Sequence, residues 1–250
     1  MITSPRNPHI QSLRALARRK DRTEQGRAVV TGVRLVDAVL RYGAGVEEVL
    51  ALADPGPGRA VVEEAHRRGI PVRWVSGRVL ESLADVKTPQ PVAAVVVLPP
   101  VVPLETVGWQ RLVVADGLQD PRNVGALVRT AHAAGFDALA VLPNTADPFH
   151  PAAVRASAGS CFALRIASAR PQDVLARGRV WLADPSGEVD YREADYRPPV
   201  ALVFGSEAAG ARHVWPGART VRIPVAGAES LNVNAAAAVL CYEARRAWTP

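Results

Sequence analysis

Short β-rich runs alternate with amphipathic helical stretches along the whole of this 250-residue chain, and that alternation leaves few folds open to it. In the first half, residues 28–31, 47–52, 72–75 and 92–98 read as strands, separated by helical patterns such as 32–42 and 59–68. In the second half, strands are predicted at 112–115, 138–142, 180–183, 200–204 and 220–223, with helices at 124–134, 151–159 and 231–247. Val233, Ala236, Ala237, Leu240, Cys241 and Ala244 recur at three- and four-residue spacing in the last helix, so one of its faces is expected to be buried. The segment LPPVVPLETVG (98–108) packs three prolines into eleven residues and can continue neither a helix nor a central strand. The expected organisation is an N-terminal domain over 1–98, a Pro-rich linker over 99–108 and a C-terminal domain over 109–250. Pattern alone points to α/β layering around a largely buried, doubly wound sheet, because true knots are almost absent from known folds.

An apolar content of 48% suffices for one sizeable core or two modest ones. The formal charge of +6 suits a polyanionic partner, though basicity also serves solubility. Its distribution says more. Residues 1–27 hold Arg6, Arg14, Arg18, Arg19, Lys20, Arg22 and Arg27 against Asp21 and Glu24, so an N-terminal basic arm carries five of the six excess charges. Of thirty basic residues only Lys20 and Lys87 are lysines, which fits either GC-rich coding or a preference for bidentate phosphate contacts. Cys161 and Cys241 are too few and too scattered for a disulfide framework or a metal site, and both are expected to be reduced core thiols. The five histidines show no metal-ligand spacing, and no metal is expected. Gly43-Ala44-Gly45 lacks the third glycine of a dinucleotide fingerprint, since Glu48 takes that place. With no apolar N-terminal leader and no uncharged run of membrane-spanning length, a cytoplasmic protein is expected.

Three segments can carry chemistry. In DPRNVGALVRTA (120–131), Asn123 falls near a helix N-terminus and Arg129 about one and a half turns later; taken alone, these are a capping residue and a solvated charge. In LVFGSEAAGA (202–211), two glycines bracket Glu207 at a strand end, so backbone can approach a ligand closely. In IPVAGAESLNVNAAAAV (223–239), Ser230 reads as the N-cap of a helix opened by Leu231, placing Ser230 and Asn232 beside free N–H groups able to hold an anion or carboxylate.

Together, in this order and spacing, the three segments resemble the motifs of the SpoU/TrmH-type RNA 2'-O-ribose methyltransferases, a branch of the SPOUT enzymes. The resemblance implies a C-terminal domain tied into a trefoil knot, a homodimer with an active site completed by the second subunit, and S-adenosylmethionine as methyl donor. It also implies that Arg129 acts on the ribose 2'-hydroxyl, positioned by Asn123 and supported by Asn232, that Glu207 orients the RNA or this arginine, and that Ser230 contacts the target phosphate. Because a free guanidinium keeps its proton to about pH 12, Arg129 either loses a proton with help from the RNA phosphate or stays charged and stabilises a developing alkoxide. Phe204, Gly205, Ile223, Val225, Leu231 and Asn232 are implied to line the cofactor site. Val225 stands where methionine is frequent in the family, and Asn234 where serine or alanine is. DPFHPAAVRASAGSCF (147–162) resembles the family's connection between motifs, structural or part of the RNA surface, with His150 read as a loop residue.

The pattern VVTGVRLVDAVLRYGAGVEEVLAL (29–52) resembles the small α/β/α domain, similar to ribosomal protein L30e, that many ribosomal-RNA members carry; Thr31 departs from the glutamate often found before Gly32. The resemblance assigns this domain to RNA recognition, with Arg14, Arg18, Arg19 and Lys20 on phosphates. Tyr42 and Trp74 read first as core residues and second as stacking platforms. The function implied is methylation of 23S rRNA, in maturation or in antibiotic resistance. A tRNA enzyme of the same family, a non-catalytic RNA-binding module and a small-molecule α/β enzyme are the alternatives.

Overall fold

The computed structural model describes residues 1–84, 90–206 and 210–248. In chain order its helices and strands are α1 (Pro8–Ala15), α2 (Arg19–Gln25), β1 (Arg27–Thr31), α3 (Val33–Arg41), β2 (Val46–Ala51), α4 (Arg59–Arg67), β3 (Val72–Trp74), α5 (Gly77–Leu83), β4 (Val92–Val97), β5 (Val102–Pro103), β6 (Arg111–Asp116), α6 (Pro121–Ala134), β7 (Ala138–Val141), α7 (Pro151–Ala156), β8 (Arg165–Ser168), α8 (Pro171–Leu175), β9 (Arg179–Ala183), β10 (Val189–Asp190), β11 (Val200–Gly205), β12 (Arg219–Arg222) and α9 (Val233–Arg246). The chain forms two compact units, one of Met1–Pro99 with Phe149–Ala163 and one of Pro100–Pro148 with Leu164–Pro250.

The first unit holds a four-stranded sheet in the order β1-β4-β2-β3. Central β4 runs antiparallel to both β1 and β2, and β3 adds parallel at the edge. The β4 sequence VAAVVV has no polar residue, as a strand paired on both sides and covered on both faces requires. Ile10, Leu13 and Leu16 pack with Leu50, Val79, Leu80 and Val95 on one side of the sheet. The basic arm is thus folded into α1, α2 and their junction, with its apolar residues anchored in this core.

The second unit is built on an eight-stranded sheet in the order β10-β12-β9-β11-β6-β7-β8-β5, in which every pairing is parallel. Leu112, Val114, Ala140, Ala167, Ala201 and Val203 are buried in its core beside Trp109 and Trp215. From β6 the chain proceeds to β7 and β8 on one side, then returns to add β9 and β11 on the other. The order therefore reverses between β6 and β11, and in parallel sheets such a switch point opens a crevice beyond the carboxyl ends of the strands. Helix α9 packs on α6 and β11, burying Val233, Ala237, Leu240, Cys241 and Ala244 of the predicted stripe and leaving Ala236 half-buried. Burial pushes the Cys241 thiol far above the ordinary thiol range. None of the described helices is long and apolar enough to cross a membrane.

Candidate functional site

Three chain corners at the carboxyl ends of the second unit's strands carry the expected site residues. The first follows β6, whose last residue, Asp116, is fully buried. A buried carboxylate must be supplied with donors. The backbone N–H of His213 and Trp215 Nε1 donate to its Oδ2 at 3.1 and 2.9 Å, and His213 Nδ1 lies 2.6 Å from its Oδ1. Asp116 therefore ties the 211–218 loop to the end of β6. Gly117, at φ +74°, sits so close beneath Arg212 that an added Cβ would come within 2.9 Å of its side chain. Asp120 then caps α6, accepting from the Arg122 N–H at 2.8 Å. The side-chain hydrogen bond from Arg122, reinforced by this N–H, holds the Asp120 carboxyl below its usual range. Asn123 lies in the first turn of α6, partly buried, where Asp120 already fills the capping role. Arg129 is exposed further along α6 and has no ion pair among the described residues.

The second corner follows β11. Ser206 and Gly210 exchange two backbone hydrogen bonds of 2.9 Å. A Cβ on Gly205 would stand 2.0 Å from the Gly210 carbonyl carbon, so only glycine fits there. Glu207 lies outside the described residues.

The third corner follows β12 and corrects the expected helix start. Ser230 is not the N-cap: α9 begins at Val233, and Asn232 caps it, its side chain accepting from the Asn234 N–H at 2.9 Å. Asparagine caps as well as serine, and here the exposed chain from residue 224 to 232 stays non-helical until Asn232 supplies the acceptor. Asn234 Nδ2 in turn donates to Asn123 Oδ1 at 2.9 Å, joining the first turns of α9 and α6.

The second and third corners, with the chain after β9, line a cleft. Phe204, Gly205, Ile223, Val225, Ser230 and Leu231 all line it, joined by Asp184 and Pro185 after β9 and by Val233, Ala236 and Leu240 of α9. Asn232, Asn123 and Arg129 do not line it; Asn232 holds the helix start beneath it. Among the described residues Asp184 is the single ionisable side chain of the lining, its Oδ1 held by the Ser186 N–H at 2.7 Å. Sequence reasoning passed over both Asp184 and Asp116. An acid closing an apolar strand, as in LVVAD and VWLAD, was the available signal, since a buried strand has no reason to end that way unless the acid is used.

The SpoU rRNA Methylase family profile matches residues 110–242, more than half of the chain, and the MRM3-like substrate binding domain profile matches residues 7–94. The chain belongs to the SpoU rRNA methylase family. It is 29% identical to the 23S rRNA (guanosine(2553)-2'-O)-methyltransferase RlmP of Bacillus subtilis, over 98% of each chain. Identity to the 23S rRNA (uridine(2479)-2'-O)-methyltransferase of Streptomyces viridochromogenes is 31%, over 98% of this chain and 91% of that protein. The crystal structure of an AdoMet-bound rRNA methyltransferase from Sinorhizobium meliloti has a TM-score of 0.85 at 32% identity, covering 100% of this chain and 98% of that one.

In this SpoU-family chain the remaining expected residues fall as follows. Arg14, Arg18, Arg19 and Lys20 are exposed on α1, α2 and their junction, with Arg18 paired to Asp21 at 2.6 Å and Lys20 to Glu24 at 3.8 Å. Arg22, counted with the arm, is instead buried, its guanidinium donating to the carbonyls of Leu16 and Ala17 at 2.9 and 2.7 Å. Tyr42 and Trp74 are not core residues: each keeps more than a third of its surface exposed, because Tyr42 follows the last turn of α3 and Trp74 sits on edge strand β3. His150 is the N-cap of α7 rather than a plain loop residue, its Nδ1 accepting from the Ala152 N–H at 3.2 Å. Among the described residues no group of His, Cys, Asp and Glu could hold a metal ion.

Proposed function

We propose that this chain is an S-adenosylmethionine-dependent RNA 2'-O-ribose methyltransferase acting on 23S rRNA. The observation that carries the reading is a cleft, in a SpoU-family fold, lined by the chain after β9, β11 and β12 together with α9. The lining suits the cofactor. Phe204, Ile223, Val225, Leu231 and Leu240 offer apolar walls for an adenine and an aliphatic chain. The one charged side chain among the described lining residues, Asp184, is negative, as suits a ligand bearing a sulfonium and an ammonium.

Bound S-adenosylmethionine supplies an electrophilic methyl group. The protein's part is to hold the 2'-oxygen in line with it and to keep the two in register. Arg129 faces the ribose; a guanidinium keeps its proton at neutral pH, so Arg129 orients the hydroxyl and stabilises its developing negative charge while the proton leaves to solvent. Asn123 positions Arg129 from the first turn of α6, Asn232 supports it, Ser230 receives the target phosphate, and Glu207 orients the RNA. The first unit grips RNA through Arg14, Arg18, Arg19 and Lys20.

The reading includes a homodimer and a knotted C-terminal segment. Supporting the dimer, Arg129 is exposed and stands outside the cleft lining, while Val225, Leu231 and Tyr242 leave apolar surface exposed. Supporting the knot, the chain leaves β12 near one edge of the sheet and returns to pack α9 on α6 and β11 in its middle. Such an enzyme works in the cytoplasm.

The test uses the chemistry of the product: a methylated 2'-oxygen cannot attack its neighbouring phosphate, so alkali leaves that linkage intact. Purified protein incubated with 23S rRNA and methyl-tritiated S-adenosylmethionine should yield label in alkali-resistant dinucleotides. Label released as ordinary mononucleotides, which would place the methyl on a base, refutes the assignment.

A further inference from the structure

Resting on the methyltransferase reading, we propose that Asn234 is a positioning residue: its amide fixes Asn123 and so locks the RNA-facing start of α6 to the cofactor-facing start of α9. The two asparagines are 111 residues apart in sequence and meet through a hydrogen bond of 2.9 Å from Asn234 Nδ2 to Asn123 Oδ1.

Asparagines in a first helical turn ordinarily bond to local backbone or to water. These two reach across to each other. The Asn232 side chain accepts from the Asn234 N–H at 2.9 Å, which pins the backbone from which the Asn234 side chain is aimed. Because Asn123 uses its carbonyl oxygen as acceptor, the bond also sets which way its NH₂ group faces. From there α6 runs on to Arg129, while α9 lines the cleft with Val233 and Ala236.

Packing alone does not account for an amide at position 234. Asn234 Oδ1 is buried without a hydrogen-bond partner, a condition that a buried polar group avoids unless the arrangement serves another purpose. Alanine or serine would spare the helix this unmatched acceptor. What the amide adds is the donor to Asn123.

A double-mutant cycle on the full chain tests this, with methyl transfer to purified 23S rRNA as readout and S-adenosylmethionine calorimetry and thermal melting alongside. Asn234→Asp keeps the shape but removes the donor. It and Asn234→Ala should each lower kcat roughly tenfold or more, with the Kd for S-adenosylmethionine moving less than about twofold. Asn123→Ala should do the same, and the double alanine variant should be no slower than the slower single, as expected of residues acting as one unit. Asn234→Ser, whose hydroxyl can still donate, should retain more activity than Asn234→Asp. The proposal is overturned if Asn234→Asp turns over like wild type, if the two alanine effects multiply, or if kcat falls only in variants that no longer melt cooperatively. Wild-type protein that transfers no methyl to RNA removes the functional reading and this inference with it; active wild type with equally active Asn234→Asp removes the inference alone.

Discussion

Asp184 is the residue on which the electrostatics of the cleft turn. It is exposed at the rim, so its charge is partly screened, but among the described residues no other ionisable side chain lines the cleft to offset it. Removing the charge at constant shape, in Asp184→Asn, should weaken S-adenosylmethionine binding about three- to tenfold by calorimetry, the loss of one partly screened pairing. Binding of the neutral nucleoside adenosine should be unaffected, and an equal loss for both ligands would contradict the charge argument. At this scale the sequence was only partly readable. Gly205 could be read because a tight corner admits few residues, and the structure shows why, with the Gly210 backbone occupying the space of a Cβ. Asp116 closes an apolar strand, a local sign that it is used, but the residues that satisfy it, His213 and Trp215, stand almost a hundred positions away, and that partnership is not written locally.

Helix α9 depends on a cap that lies two residues beyond the position the sequence suggested. Ser230, Asn232 and Asn234 are all competent caps, and propensity cannot choose among them; the choice falls to the backbone path after β12 and to the bond with Asn123. Thermal or urea unfolding should therefore show Asn232→Ala losing about 1 kcal/mol while Ser230→Ala stays at wild-type stability. The reverse order would restore the original cap. Near the start of β7, Asp137 carries a second dependence. Burial pulls its carboxyl upward, but the Arg111 side chain and the N–H groups of Gln110 and Arg111 outweigh this and hold it below its ordinary value of 3.8. A carboxyl lowered by folding stabilises the native state above its unfolded-state value, and that contribution disappears as pH falls below 3.8 towards the folded-state value. Asp137→Asn should accordingly be less stable than wild type at neutral pH and converge with it in acid; a constant gap across that range would refute the linkage. The long central strands and helices were legible because apolar runs and helical stripes persist for several residues. β5 and β10, with two residues each, and β8, with four, offered no such signal.

The whole chain forms two units of different character, and the segment Phe149–Ala163 belongs to the first unit although it lies deep in the second half of the sequence. No local pattern encodes such a return, which is why the linear division at 98–108 did not anticipate it. If the exposed basic residues of α1 and α2 hold RNA, replacing Arg14, Arg18, Arg19 and Lys20 together should weaken RNA binding and flatten its salt dependence, since each phosphate contact adds about 0.7–0.9 to the slope of log K against log salt. Arg18 and Lys20 already have acidic neighbours, so Arg14 and Arg19 should contribute the larger share. An unchanged slope would place the RNA elsewhere. The central claim is tested most directly by methyl transfer from labelled S-adenosylmethionine to 23S rRNA, 16S rRNA and tRNA in parallel, with Arg129→Ala beside wild type and nucleoside analysis of the product. The account predicts a 2'-O-methylnucleoside in 23S rRNA that the variant does not make; label in tRNA alone, or no transfer to any RNA including intact ribosomal subunits, would contradict it.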